Sequence, residues 1–401
     1  MHLRLKRENI WLVLVGLTLS SFAFSERINS WGIILICIFT LADKDLIQKI
    51  KRANEQYRIF PMLAFFIVYL LFYLFSEKDS NASHTLIVKL SFFLLPLAFY
   101  IENYFTLKNE RLILNIFSIA IGLGFLYQLS NSFMDYYFLA EEPKLSYALN
   151  RMLVSQYIMH PGYYSVFLMF GIIWHFFNKG PFRLSYILLF SIGVIILISR
   201  VVILFYIIFL IYLSIRFILT RKNKALTTMV FIAFGVVSTF LLYQIPTIRY
   251  RVNTTFQNIN NTSKDNSISS ATASRRIAYE YEIKLVAKKP IAGYGLGNAT
   301  ETLRKELQLQ GYNELSKEMN THCQYINTWM QTGILGLLTL LFLLLFLLNL
   351  FKKENKQTAL WFVILIGSCL LTDDLLEIQA NGVFFVLLLS LYIQKRPTSS
   401  P

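Results

Sequence analysis

Long apolar runs divide this chain from end to end, and they limit its fold more than any other feature. About twelve can be read: Ile10–Phe24, Trp31–Ala42, Ile59–Phe75, Leu86–Ile101, Leu112–Phe133, Pro161–Phe177, Leu184–Ile198, Val201–Leu219, Leu226–Tyr243, Thr328–Leu350, Leu360–Leu371 and Gly382–Ile393. Lipid offers no water to satisfy a backbone, so such runs cross it as helices. The expected fold is an all-α polytopic membrane protein, a single integral membrane domain over residues 1–401 with about 12 transmembrane helices. Several runs fall short of the roughly 20 residues of a perpendicular crossing, which suits tilted or re-entrant segments. Composition agrees: 55% of residues are hydrophobic and mean hydropathy is +0.51, beyond the usual soluble range.

The net charge is +15. A nucleic-acid partner would need a broad wet basic face, which a chain of this kind lacks. The bases sit instead in alternate short loops. Lys44, Lys49, Lys51, Arg52 and Arg58 follow the second run; Lys108 and Arg111 the fourth; Lys179 and Arg183 the sixth; Arg221, Lys222 and Lys224 the eighth; Lys352, Lys353 and Lys356 the tenth; Lys395-Arg396 the last. The intervening loops Ser25–Ser30, Ser76–Thr85 and Asp373–Asn381 hold only Arg27 and Lys78. By the positive-inside rule both termini are cytoplasmic. The basic start Arg4-Leu5-Lys6-Arg7 reads as an uncleaved anchor. Three scattered cysteines, Cys37, Cys323 and Cys369, give neither a disulfide framework nor a zinc spacing.

One segment breaks the apolar pattern. Residues 244–327, Gln244 to Asn327, form a large polar loop that this orientation puts on the periplasmic side, with a shorter outer loop over Met134–His160. The stretch Asn253–Ser274 is rich in Asn, Ser and Thr and is expected to be mobile. Ser274 suits a helix N-cap, and Ile277, Tyr281 and Leu285 give helical spacing up to Lys288-Lys289-Pro290. Gly293-Tyr294-Gly295-Leu296-Gly297-Asn298 follows, then a second helix over Thr300–Gln310. The glycines lack the spacing and strand of a dinucleotide site and read as a tight turn.

Few residues carry chemistry. Arg200 lies between two apolar runs, where a charge costs roughly 2.5–3.5 kcal/mol on insertion scales. Anion binding explains it better than snorkelling to outer headgroups. Arg275 and Arg276 open the loop helix, where guanidinium forks and free N–H groups together suit an anion; from local sequence alone a solvated pair is the simpler account. His322, just before the tenth run, has the chemistry of a general base, although a lone loop histidine is more often polar surface. His160 is equally ambiguous. Asp373, Asp374 and Glu377 suit pairing with the arginines better than a metal site, since no third ligand stands at regular spacing.

In order, these pieces resemble the O-antigen ligase and polymerase superfamily. They are Ser199-Arg200 between apolar helices; a loop arginine whose helix ends in Lys-Lys-Pro before Gly-Tyr-Gly-Leu-Gly-Asn; His322; and Gln331-Thr332-Gly333-Ile334-Leu335-Gly336 in the next helix. The resemblance covers about Met159 to Asn381. It implies a GT-C-type glycosyltransferase that needs no metal and no cofactor. The donor would be an undecaprenyl-diphosphate-linked glycan and the acceptor a hydroxyl of lipid A-core, another glycan or a protein, on the periplasmic face of the inner membrane. By position Arg200 and Arg275, or its neighbour Arg276, match diphosphate-binding arginines, and His322 matches the essential histidine. Cys323 stands where the family often has Asn, and Tyr279 where it often has Trp. Ligase and polymerase are not separated. A transporter for a lipid-linked glycan or another anion is the rival of another class; it predicts two pseudo-symmetric halves, which the sequence lacks.

Overall fold

The computed structural model describes residues 6–24, 26–52, 56–76, 80–104, 106–139, 159–197, 199–221, 249, 253 and 271–394. The ninth apolar run, most of the shorter outer loop and most of the Asn/Ser/Thr-rich stretch lie outside these residues. The described regular structure is helical throughout. In chain order come α1 (Arg7–Ser21), α2 (Glu26–Leu41), a short α3 (Leu46–Arg52), α4 (Phe60–Phe75), α5 (Ser80–Lys89), α6 (Ser91–Ile101), α7 (Leu107–Leu139), α8 (Pro161–Phe177), α9 (Arg183–Leu197) and α10 (Arg200–Leu219). The polar loop supplies α11 (Ala271–Lys288), α12 (Ala299–Leu309) and α13 (Asn313–Glu318). Then come α14 (Gln324–Lys353), α15 (Gln357–Cys369) and α16 (Gln379–Ile393). Apart from the ninth, every apolar run lies largely on these helices, the fourth shared between α5 and α6. Among the described residues, four segments are long and apolar enough to cross a membrane: Asn81–Ile101, which joins α5 to α6, Leu107–Met134, Arg200–Leu219 and Gln324–Lys353. Leu17, Trp31, Leu188, Leu204 and Ile211 are among the large apolar side chains left exposed on the outer faces, as lipid contact requires.

At the centre stands α16, buried from Ala380 to Ile393 on every side, the pattern of a helix apolar all round. Phe384 anchors it. Its ring lies 4.3 Å from that of Phe167 and 5.4 to 5.8 Å from those of Phe22, Phe117, Phe170 and Phe362. Helices from across the chain therefore meet on one side chain. At the end of the bundle that holds the C-termini of α14 and α16, Arg58 pairs with Glu354 at 2.6 Å and donates to the Ile393 carbonyl.

The loop has its own small core. Ala299, Leu303 and Leu307 line one face of α12 at four-residue spacing and pack with Ala278, Leu285, Val286, Met319 and Met330. Met330 belongs to α14, so the loop is fastened to that helix. Helix α11 runs from Ala271, so Ser274 lies inside it and is not its N-cap. The sequence Ala271-Thr272-Ala273 suits a helix well enough to carry it past Ser274. Arg275 and Arg276 accordingly occupy the second turn, away from free N–H groups.

Helix α14 is broken. Gly333 has φ 61° and ψ −166°, outside helical space. The glycine turn fills the break: Tyr294 donates its N–H to the Met330 carbonyl at 2.6 Å, and Ile334 donates to the Pro290 carbonyl at 2.9 Å. Trp329 Nε1 donates to the same Pro290 oxygen at 2.8 Å. A Cβ on Gly293 would lie 2.6 Å from the Met330 carbonyl oxygen, so this contact admits only glycine. The glycines bring backbone to backbone here.

Candidate active site

Helix α11 places three side chains of one stripe against two other segments. Arg275, Tyr279 and Glu282 are spaced i, i+4 and i+7, hence on one face. Arg275 Nη2 lies 3.4 Å from Asp373 Oδ1 in the loop after α15, with both side chains about one-third exposed, 34% and 30%. The Tyr279 hydroxyl donates to the carbonyls of His322, at 3.2 Å, and Leu371, at 3.4 Å. Tyr279 thus ties the His322 segment to the Asp373 loop. His322 itself stands in the extended stretch leading into α14.

Arg275 is the electrostatic hub. Its charge acts on Arg200 at the start of α10, on His160, on His322 and on Asp373. These residues lie up to 115 positions away in the chain (275 − 160), so the fold, not the sequence, gathers them. Burial and then the Arg275 charge push the His322 imidazole down to about 4, and the same two causes lower His160. Both rings are therefore neutral near pH 7, with a lone pair able to accept a proton. His160 also caps α8, its Nδ1 accepting from the Gly162 N–H at 3.2 Å. Arg276, the alternative to Arg275, is exposed, and its charge acts on Glu280 of its own helix. The three acidic candidates separate as well. Asp373 pairs with Arg275. Asp374 accepts from the Thr321 hydroxyl at 3.3 Å and is pushed up to about 7, first by burial and then by Glu377.

Glu377 turns away from the arginines, toward a residue that the sequence reading passed over. Lys89 of α5 is fully buried. Its Nζ lies 2.7 Å from Glu377 Oε1 and also donates to the Leu376 carbonyl. Gln324 completes the joint: its Nε2 donates to Glu377 at 2.9 Å, and its Oε1 accepts from the Leu376 N–H at 2.8 Å. This buried network fixes the residue 373–377 loop against the start of α14, and so sets where Asp373 and His322 stand. Removing one partner of a buried pair leaves the other charge uncompensated, at a cost of about 3–5 kcal/mol. Lys89→Met is expected to lower the melting temperature in detergent clearly, and adding Glu377→Leu to recover much of the loss. Unchanged melting of the single variant would mean that the pair fixes nothing. Among the described residues no three His, Cys, Asp or Glu side chains gather to hold a metal ion.

Comparison with known proteins fits this geometry. No curated protein matches the chain. Residues 184–341 match the family model described as O-antigen ligase. The matched span holds Arg200, Arg275, Arg276, His322, the glycine turn and Gly333, and leaves out His160, Asp373, Asp374 and Glu377. Over that span, 158 of the 401 residues, the chain is similar to the O-antigen ligase family.

Proposed function

We propose that the protein is a membrane-embedded glycosyltransferase that moves a glycan from an undecaprenyl-diphosphate carrier to an acceptor hydroxyl at the outer face of the inner membrane. The observation that carries this reading is the gathering of Arg200, His160 and His322 around the charge of the Arg275 guanidinium. Two arginines within reach of each other repel, and an anion between them turns that repulsion into attraction. A diphosphate leaving group is such an anion, and it gains charge as the sugar–phosphate bond breaks. Guanidinium forks stabilise it with no call on a metal or cofactor. The polyprenyl tail would lie among apolar helices and the glycan in the wet space under the loop.

His322 takes the acceptor proton or orients the hydroxyl. Alone it is a weak base, held down by burial and by Arg275. A bound diphosphate offsets the Arg275 charge and raises the basicity of His322 when the donor is in place. Transfer is direct, with inversion at the anomeric carbon. The acceptor is a sugar of lipid A-core in a ligase, or another carrier-linked glycan in a polymerase.

Mass analysis of carrier lipids and envelope glycans after deletion of the protein tests the reading. A ligase leaves its acceptor bare and carrier-linked polymer accumulating. A polymerase leaves single repeat units on the acceptor. Unchanged glycans would reject both.

A further inference from the structure

Among the described residues, no cation acts on the carboxyl of Glu282. It is 0% exposed, and among the described residues its oxygens have no partner at ordinary hydrogen-bond geometry, although the His322 backbone N–H acts on them. It takes the third place on the stripe whose other members, Arg275 and Tyr279, clamp the Asp373 loop and the His322 segment. The groups acting on it come from each neighbouring element: Asp374 from the loop after α15, Cys323 and the His322 backbone N–H from the segment before α14, and Tyr279 from its own helix. No cation is among them. A carboxylate ion is costly in such a place, and an uncharged acid is far less so.

We propose that Glu282 works as a neutral carboxylic acid, a positioning residue that keeps the Thr321–Cys323 segment, and with it His322, seated against α11. As a claim about transfer this rests on the role given to His322 above. Burial, followed in the same direction by the Asp374 charge and opposed by the His322 N–H, pushes Glu282 up to about 8. The folded value lies above the ordinary 4.5. The contribution of Glu282 to stability is therefore complete below that ordinary value and lost progressively as pH rises through the folded one. A glutamine has the shape of the neutral acid and cannot ionise.

The test compares the full-length wild-type protein, Glu282→Gln and Glu282→Ala in detergent, at about pH 5 and about pH 8.5. Glu282→Gln should melt above wild type at the higher pH and show no such gain at the lower. Amide protection across Thr321–Cys323, corrected for intrinsic exchange, should fall in Glu282→Ala at both pH values. In wild type it should fall only at the higher pH, and in Glu282→Gln at neither. These readouts need no substrate, so they judge Glu282 even if the transfer reading fails. In a reconstituted assay wild type should lose activity at alkaline pH, and Glu282→Gln should lose that alkaline fall. The proposal is overturned if Glu282→Gln melts below wild type at high pH, or if Glu282→Ala leaves amide protection of the segment unchanged.

Discussion

Replacing Arg275 with lysine is expected to reduce glycan transfer roughly 100-fold or more, the scale seen when one charge-stabilising donor is lost. Arg200→Lys should behave in the same way. Lysine keeps the charge but not the planar fork that grips two oxygens at once. The neighbouring Arg276→Lys should stay within about twofold of wild type, because that side chain is exposed and faces its own helix. The assay is transfer from a carrier-linked glycan in reconstituted membranes, with size-exclusion profiles to confirm that each variant is folded. Full activity of Arg200→Lys, or equal losses at Arg275 and Arg276, would remove the basis for a diphosphate cradle.

Gly333→Ala should prevent accumulation of folded protein. At φ 61° and ψ −166° the backbone is in a region almost reserved for glycine, where another residue costs on the order of 1–3 kcal/mol. A Cβ there would also overlap the Ile291 carbonyl oxygen. Neither side can yield, since both belong to the hydrogen-bonded junction between the glycine turn and α14. Gly367→Ala is the control: it lies in the neighbouring α15, and its Cβ would come no nearer than 3.7 Å, to the Tyr325 hydroxyl. Monodisperse protein yield from matched expressions decides the matter. A Gly333→Ala protein with normal yield and melting would show that the junction is not what holds α14 in its broken form.

Apolar length was enough to mark most of the described helices of the bundle, because a lipid-facing run declares itself residue by residue. The order Arg200, loop arginine, His322 was also readable, and the fold brings Arg275 near both of the others. What escaped the sequence depends on distant partners. Lys89 looks like a stray base in a span until Glu377, 288 positions away, is set beside it. Glu282 has the look of the polar side of an amphipathic helix, yet the buried side of α11 includes it. The break at Gly333 is invisible locally, since its missing hydrogen bonds are made by residues some forty positions earlier. That Arg275 faces Asp373 while Arg276 is exposed depends on which way the second turn of α11 points, and local sequence does not show that.

The junction in α14 also limits how a substrate reaches the site. Peeling the whole loop away would strand the Met330 carbonyl and the Ile334 N–H in apolar surroundings, each at a cost of several kcal/mol. The glycine turn is therefore a fulcrum, and the loop does not open as a free lid. On the proposed function, movement admitting a carrier-linked glycan would pivot about it, with the largest displacement at the end of α11 that carries Arg275. The same rotation that uncovers the entrance would loosen the Arg275–Asp373 contact, and the return stroke would close both.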